Sequence, residues 1–115
     1  MPRTITCHML AGYETPEVRN VTLPQKVEHY EGEPLLDVVF YYGQNDFAVG
    51  PEKNKKYSVS AGDVIEVNGE LWLVAWLGFK KLTAEQYESY KALSRRDRHN
   101  WRMDFELTAD QAEQS

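Results

Sequence analysis

The stretch YSVSAGDVIEVNGELWLVAWLGF, residues 57–79, limits the fold of this chain more than any other segment, because it spells out a β-hairpin together with its turn. Asn68 and Gly69 both tolerate positive φ and suit the two central places of a type I′ turn. Pairing outward from that turn sets Val67 opposite Glu70, Glu66 opposite Leu71, Ile65 opposite Trp72 and Val64 opposite Leu73, with opposed side chains sharing a face. One face then carries Ile65, Val67, Trp72, Val74 and Trp76. The other carries Val64, Leu71, Leu73 and Ala75, interrupted by Glu66. Residues 71–77 therefore read as covered on both faces, as in a barrel, a sandwich or a sheet with a helix on it. An exposed Trp72 or Trp76 would instead mark a partner or homodimer face.

The rest of the chain fills in around the hairpin. Residues 3–10 alternate, with Ile5, Cys7 and Met9 on the inner side, the period of a half-buried strand. Gly12 and Pro16 bracket a turn, and residues 17–23 form a second strand that Pro24 ends. The run LLDVVFYY, residues 35–42, is rich in β-branched and aromatic residues and reads as a central strand with Leu36, Val38, Phe40 and Tyr42 on one face. Residues 43–56 make the longest loop. Thr83 and Gln86 spell a capping box, with Leu82 able to staple Tyr87, so a helix is predicted from Thr83 to about Arg96 or Arg98. Its inner face is Tyr87, Tyr90 and Leu93 or Ser94. Residues 101–107 alternate again, Met103, Phe105 and Leu107 against Arg102, Asp104 and Glu106, and read as a last strand. Residues 107–111 repeat the pattern of residues 82–86 and look like a second helix start, with room for barely one turn.

These elements define one α+β domain over residues 1–108 and a polar, flexible tail over 109–115. The expected architecture is a mostly antiparallel, strongly bent sheet or small β-barrel with one main C-terminal helix. The chain of 115 residues can bury one core but not two. Its net charge of −5 argues against a general polyanion binder unless the basic residues cluster. Cys7 is the single cysteine, which excludes an intrachain disulfide and fits a reducing cytoplasm. No segment approaches the ~20 apolar residues of a spanning helix, so neither signal peptide nor membrane anchor is expected.

Catalytic constellations are lacking. His8, His29 and His99 have no metal-ligand spacing, and the inward phase of Cys7 predicts an inert core thiol. Of the carboxylates Asp37, Asp46, Asp63 and Asp97, Asp63 follows Gly62 at a strand entry, where a carboxylate bonds backbone amides. Asp37, the one charge in an apolar run, is expected on an exposed face; a small enzyme built on Asp37 or Asp46 is the third-ranked alternative. No phosphate-binding glycine motif is present, and neither cofactor nor metal is expected.

Two surfaces remain as candidate sites. Tyr41, Tyr42, Gln44, Asn45, Asp46 and Phe47 leave the apolar run as a dense set of aromatic, amide and carboxylate groups, the composition of a protein-recognition loop. Lys91, Arg95, Arg96, Arg98 and His99 with Trp101 form the single basic cluster, which supports nucleic-acid binding as the alternative. Cations at a helix C-terminus also complement its dipole, and that is the simpler account.

The pieces Leu36-Asp37-Val38-Val39-Phe40, Ser58-Val59-Ser60, Asp63-Val64-Ile65 and Gly78-Phe79-Lys80, in that order and over about half the chain, resemble the YodL-like family of small proteins carried by plasmids, phages and integrative elements. Ala61-Gly62 and the tight Asn68-Gly69 turn depart from the family's pattern. The resemblance implies provenance on a mobile genetic element and no catalytic residues. With the loop reading, it implies a non-enzymatic protein-binding accessory, counter-defence or regulatory, that engages a host or element-encoded protein.

Overall fold

The computed structural model describes residues 3–44 and 58–114, with side chains described through residue 108. Five strands, β1 (Arg3–Met9), β2 (Glu17–Leu23), β3 (Val64–Val67), β4 (Glu70–Val74) and β5 (Phe79–Leu82), form one antiparallel sheet in the order β2-β1-β3-β4-β5. The sheet is open, with β2 and β5 as its edges, and does not close into a barrel. Three α-helices complete the fold: α1 (Gly32–Tyr42), α2 (Ala84–Lys91) and α3 (Arg95–Gln114), with a 3-10 turn at Gln25–Val27. The protein is α+β, as expected, but with three helices in place of one.

The hairpin pairs as its sequence dictates: Val64 with Leu73, Ile65 with Trp72, Glu66 with Leu71 and Val67 with Glu70. Asn68 and Gly69 both hold positive φ, +52° and +80°, as the turn demands. Strand β2 has the expected bounds, β1 ends one residue short of the expected Leu10, and Cys7 is fully buried.

Alternation on β3 and β4 feeds two cores. Ile65 and Val74 join Ile5, Cys7, Met9, Val21 and Leu23 beneath α1. On the opposite face, Val64 and Leu73 meet Leu82, Tyr87 and Tyr90, with Trp101 and Phe105 of α3 packed against them. The hairpin is thus covered on both faces as far as Val74, where β4 ends. Residues 75–78 then form a turn, closed by the Ala75 amide donating to the Gly78 carbonyl at 3.0 Å. This corrects the expectation that cover extends through Leu77: Trp76 is 79% exposed and Leu77 is 78% exposed.

Residues 35–42 form a helix, not the predicted central strand. The run is apolar in both phases, so a period of two cannot be told from one of 3.6. Leu35, Leu36 and Val39 are buried at helical spacing, while Asp37, Phe40 and Tyr41 share the outward face. Pro34 sits in the first turn, where its missing N–H costs nothing, and Glu33 complements the dipole there.

Residues 101–107 are likewise helical, where the alternation predicted a strand. Arg98, Trp101, Arg102, Phe105 and Glu106 lie inward at spacings of three and four, and Met103 and Leu107 lie outward. The predicted single helix from Thr83 is divided. The capping box forms, with Gln86 N–H donating to Thr83 Oγ1 at 3.0 Å and Thr83 N–H to Gln86 Oε1 at 2.8 Å. That helix ends at Lys91, and Ser94 starts the next by accepting from the Asp97 amide at 3.2 Å. Residues 107–111 lie within α3, and Thr108 bonds back to the Asp104 carbonyl instead of capping a new helix.

Candidate functional site

The turn after β1 is the polar centre of the molecule. Asp63, buried at the entry to β3, accepts from the amides of Leu10 and Ala11 through Oδ1 at 2.8 and 2.9 Å, and from the amide of Ser60 through Oδ2 at 2.9 Å. This is the structural task its position after Gly62 predicts. Burial raises its pKa above the ordinary aspartate value, against the lowering effect of these hydrogen bonds. Tyr90 donates its hydroxyl to the Gly62 carbonyl, and burial holds that hydroxyl well above the usual tyrosine range.

Arg98 approaches the same turn from the other side. It is 2% exposed as a residue, and its guanidinium donates to the carbonyls of Leu10, Tyr13 (2.6 Å) and Glu14 (2.7 Å), with Nε on the Leu93 carbonyl at 3.1 Å. The peptide groups of Leu10 are therefore held from both sides, its N–H by an anion and its C=O by a cation. Arg95 adds a bond from Nε to the Ala11 carbonyl at 3.2 Å, and its own amide donates to Glu14 Oε2 at 3.0 Å.

This arrangement settles where the predicted basic cluster lies. Arg98 is committed to the fold, and Trp101 is stacked on Phe105, with centroids 5.2 Å apart and planes 7° apart, with Tyr90 5.0 Å away. Lys91 pairs with Glu88 at 3.2 Å and lies over the Tyr87 ring. Arg95, Arg96 and His99 remain exposed. Arg95, Arg96 and His99 line one basin with Arg98 in the recess beside it, so the members of the cluster differ in availability.

The predicted recognition loop divides differently. Tyr41 is exposed and meets Tyr42 edge-on, while Tyr42 packs partly into the core beneath α1. Gln44 spends its side-chain amide on the carbonyls of Phe40 and Val59, at 2.8 and 3.1 Å, tying the end of α1 to the segment leading into β3. Asn45, Asp46 and Phe47 lie outside the described residues. Asp37 is exposed on α1, as expected, though on a helix.

His8 Nε2 hydrogen-bonds Glu66 Oε1 on the neighbouring strand at 2.9 Å, beside the Tyr87 ring. Burial, with Glu88 and Glu66 adding, pushes the Tyr87 hydroxyl up to about 12. His29 packs edge-on to Tyr30. Among the described residues no group of histidine, cysteine, aspartate and glutamate has metal-binding geometry, and no helix is long and apolar enough to cross a membrane.

The most exposed apolar surface among the described residues is one that the sequence pattern left in the background. Trp76 and Leu77 at the tip of the β4–β5 turn, with Met103 and Leu107 on the outer face of α3, line a groove of about 190 Å³ with Lys80 and Glu106. The groove has a fixed floor: Glu106, nearly buried, accepts the Trp76 amide through Oε1 and pairs through Oε2 with Arg102 at 3.4 Å. The signal for it was present in the sequence. Met103 and Leu107 are four residues apart, which on a helix places them side by side, but assigned to a strand they pointed inward. Comparison of the chain with protein-family models, with curated proteins and with solved structures found no match.

Proposed function

We propose that this protein is a non-enzymatic protein-binding module whose docking surface is the groove between the Trp76–Leu77 tip and the Met103–Leu107 face of α3. One observation carries the reading: four large apolar side chains from two elements stay exposed around a groove whose backbone is held from beneath by Glu106. Exposed apolar patches rimmed by polar groups are the usual mark of an interaction surface, and a tryptophan at the centre is the usual anchor. The groove is lined by six residues, against the roughly 20–30 that each side of a stable complex contributes, so a short apolar segment of another protein suits it better than a second copy.

The resemblance to the YodL-like family adds provenance to this reading: an accessory protein of a phage, plasmid or integrative element, working in the cytoplasm on a host or element-encoded partner. The exposed Tyr41 at the end of α1 would then be a secondary contact. Affinity capture from a bacterial lysate, with mass spectrometry, tests the groove. A partner recovered by the wild type should be lost with Trp76→Ser and with Leu107→Glu, both solvent-facing changes that leave the thermal melt intact. Equal recovery by all three proteins would remove the groove from consideration.

A further inference from the structure

The turn that Asp63 and Arg98 clamp forms one wall of a recess with an unusual charge. Its lining includes Gly62, Tyr90, Arg95, Arg98, His99 and Arg102, and contains, among the described residues, three arginines, a histidine and no carboxylate, in a protein whose net charge is −5. The recess has a volume of about 140 Å³ and shares Ala11, Arg95 and His99 with a wide outer basin lined also by Arg96, Asn100 and Glu14. Arg95, Arg98 and Arg102 with His99 are spaced three and four apart, so one face of α3 delivers all of them.

Two of these cations are buried. Arg98 is buried and held by carbonyls alone, with no carboxylate among the described residues in ion-pair range. Arg102 is 8% exposed, and its Nη1 and Glu106 Oε2, 3.4 Å apart, are ion-paired while neither makes a hydrogen bond. A buried guanidinium that lacks a full counter-charge carries a desolvation cost, which an anion seated beside it offsets. The nearby acids have other partners: Asp63 three amides, Glu14 the Arg95 amide, and Glu106 the Trp76 amide at Oε1, with Oε2 in the long ion pair to Arg102.

We propose that this recess is a binding site for a tetrahedral oxyanion, the phosphate of a small phosphorylated molecule whose remainder lies in the outer basin. Guanidinium groups match phosphate geometry, and a partly desolvated site strengthens each charge-assisted bond. A polymer backbone fits less well, because the cations are recessed and the acidic remainder of the protein repels a long polyanion. The recess and the apolar groove are separate surfaces, and binding at one does not require the other.

The test is thermal denaturation and phosphorus NMR titration with inorganic phosphate and with phenyl phosphate, each against chloride at matched ionic strength. Both phosphates should raise the melting temperature saturably, phenyl phosphate at the lower concentration if the basin takes the ester arm. Arg95→Gln combined with His99→Gln, both exposed, should weaken binding by about tenfold or more, with the unliganded melt lowered only by the loss of the exposed Arg95–Ala11 hydrogen bond. Arg102→Gln should also weaken binding, though it lowers the unliganded melt by leaving Glu106 buried without its counter-charge, and the double variant decides the matter if Arg102→Gln fails to fold. Equal shifts with phosphate and chloride, or undiminished binding by the double variant, would overturn the proposal. So would tighter binding of an oligonucleotide lacking a terminal phosphate, which would make the ligand a nucleic-acid backbone.

Discussion

Asp63 and Arg98 show how two buried charges serve one residue's backbone. Asp63 receives three backbone amides, so Asp63→Asn replaces an oxygen acceptor with a donor facing an amide and should cost about 2 kcal/mol in urea denaturation at neutral pH. The pH dependence has a definite sign. Because burial raises the folded pKa of Asp63 above its unfolded value, the folded state takes up the proton first as pH falls. The carboxyl's contribution is then fully present below the unfolded pKa of about 3.9 and lost as pH rises through the folded value. The stability gap between wild type and Asp63→Asn should therefore widen on acidification from neutral pH and level off below about pH 4. A gap that narrows would mean the three hydrogen bonds outweigh burial.

At the scale of elements, the glycines separate a strained turn from a crowded one. Gly69 holds φ +80° with open space where a methyl would stand, so Gly69→Ala should cost only the left-handed backbone term, about 1 kcal/mol. Gly62 holds φ +102°, and a methyl there would meet Ala11 Cβ at 3.0 Å beside the Tyr90 hydroxyl. Gly62→Ala should cost more, about 3 kcal/mol, and urea midpoints of the two variants check the order. Where a residue's own backbone needs were decisive, as with Asn68-Gly69 and Thr83-Gln86, the sequence alone revealed the element and its partner atoms; for Asp63 it revealed the amide-binding task, which Ser60 meets locally, but not the distant amides of Leu10 and Ala11. Where only the apolar period was available it failed. LLDVVFYY and WRMDFEL each satisfy two periods, and the choice between them is made by a sheet that offers α1 and α3 a face to cover. The start of α3 was legible after all, in the Ser94-to-Asp97 spacing of a helix cap. The apolar groove escaped notice because it depends on which side of α3 Met103 and Leu107 occupy, whereas Arg95, Arg98 and His99 of the recess already stood in the basic cluster and only Arg102 was missed.

For the molecule as a whole, the layered arrangement leaves its three tryptophans in graded surroundings: Trp101 stacked, Trp72 partly covered and Trp76 in solvent. Trp76→Phe should therefore shift the fluorescence maximum of the folded protein to shorter wavelength, because the most hydrated indole is lost. If the maximum stayed in place, the β4–β5 tip would be covered in solution. The sheet order carries a further consequence, set by β1 lying between β2 and β3. His8 and Glu66 meet across that seam although 58 residues separate them. On the ribosome, the β1–β2 hairpin emerges with one flank of β1 still unpaired, and at about 5–20 residues per second its missing neighbour follows only after several seconds. During that interval Ile5, Cys7 and Met9 have no completed core to enter, so the nascent chain passes through a window in which chaperone capture competes with folding.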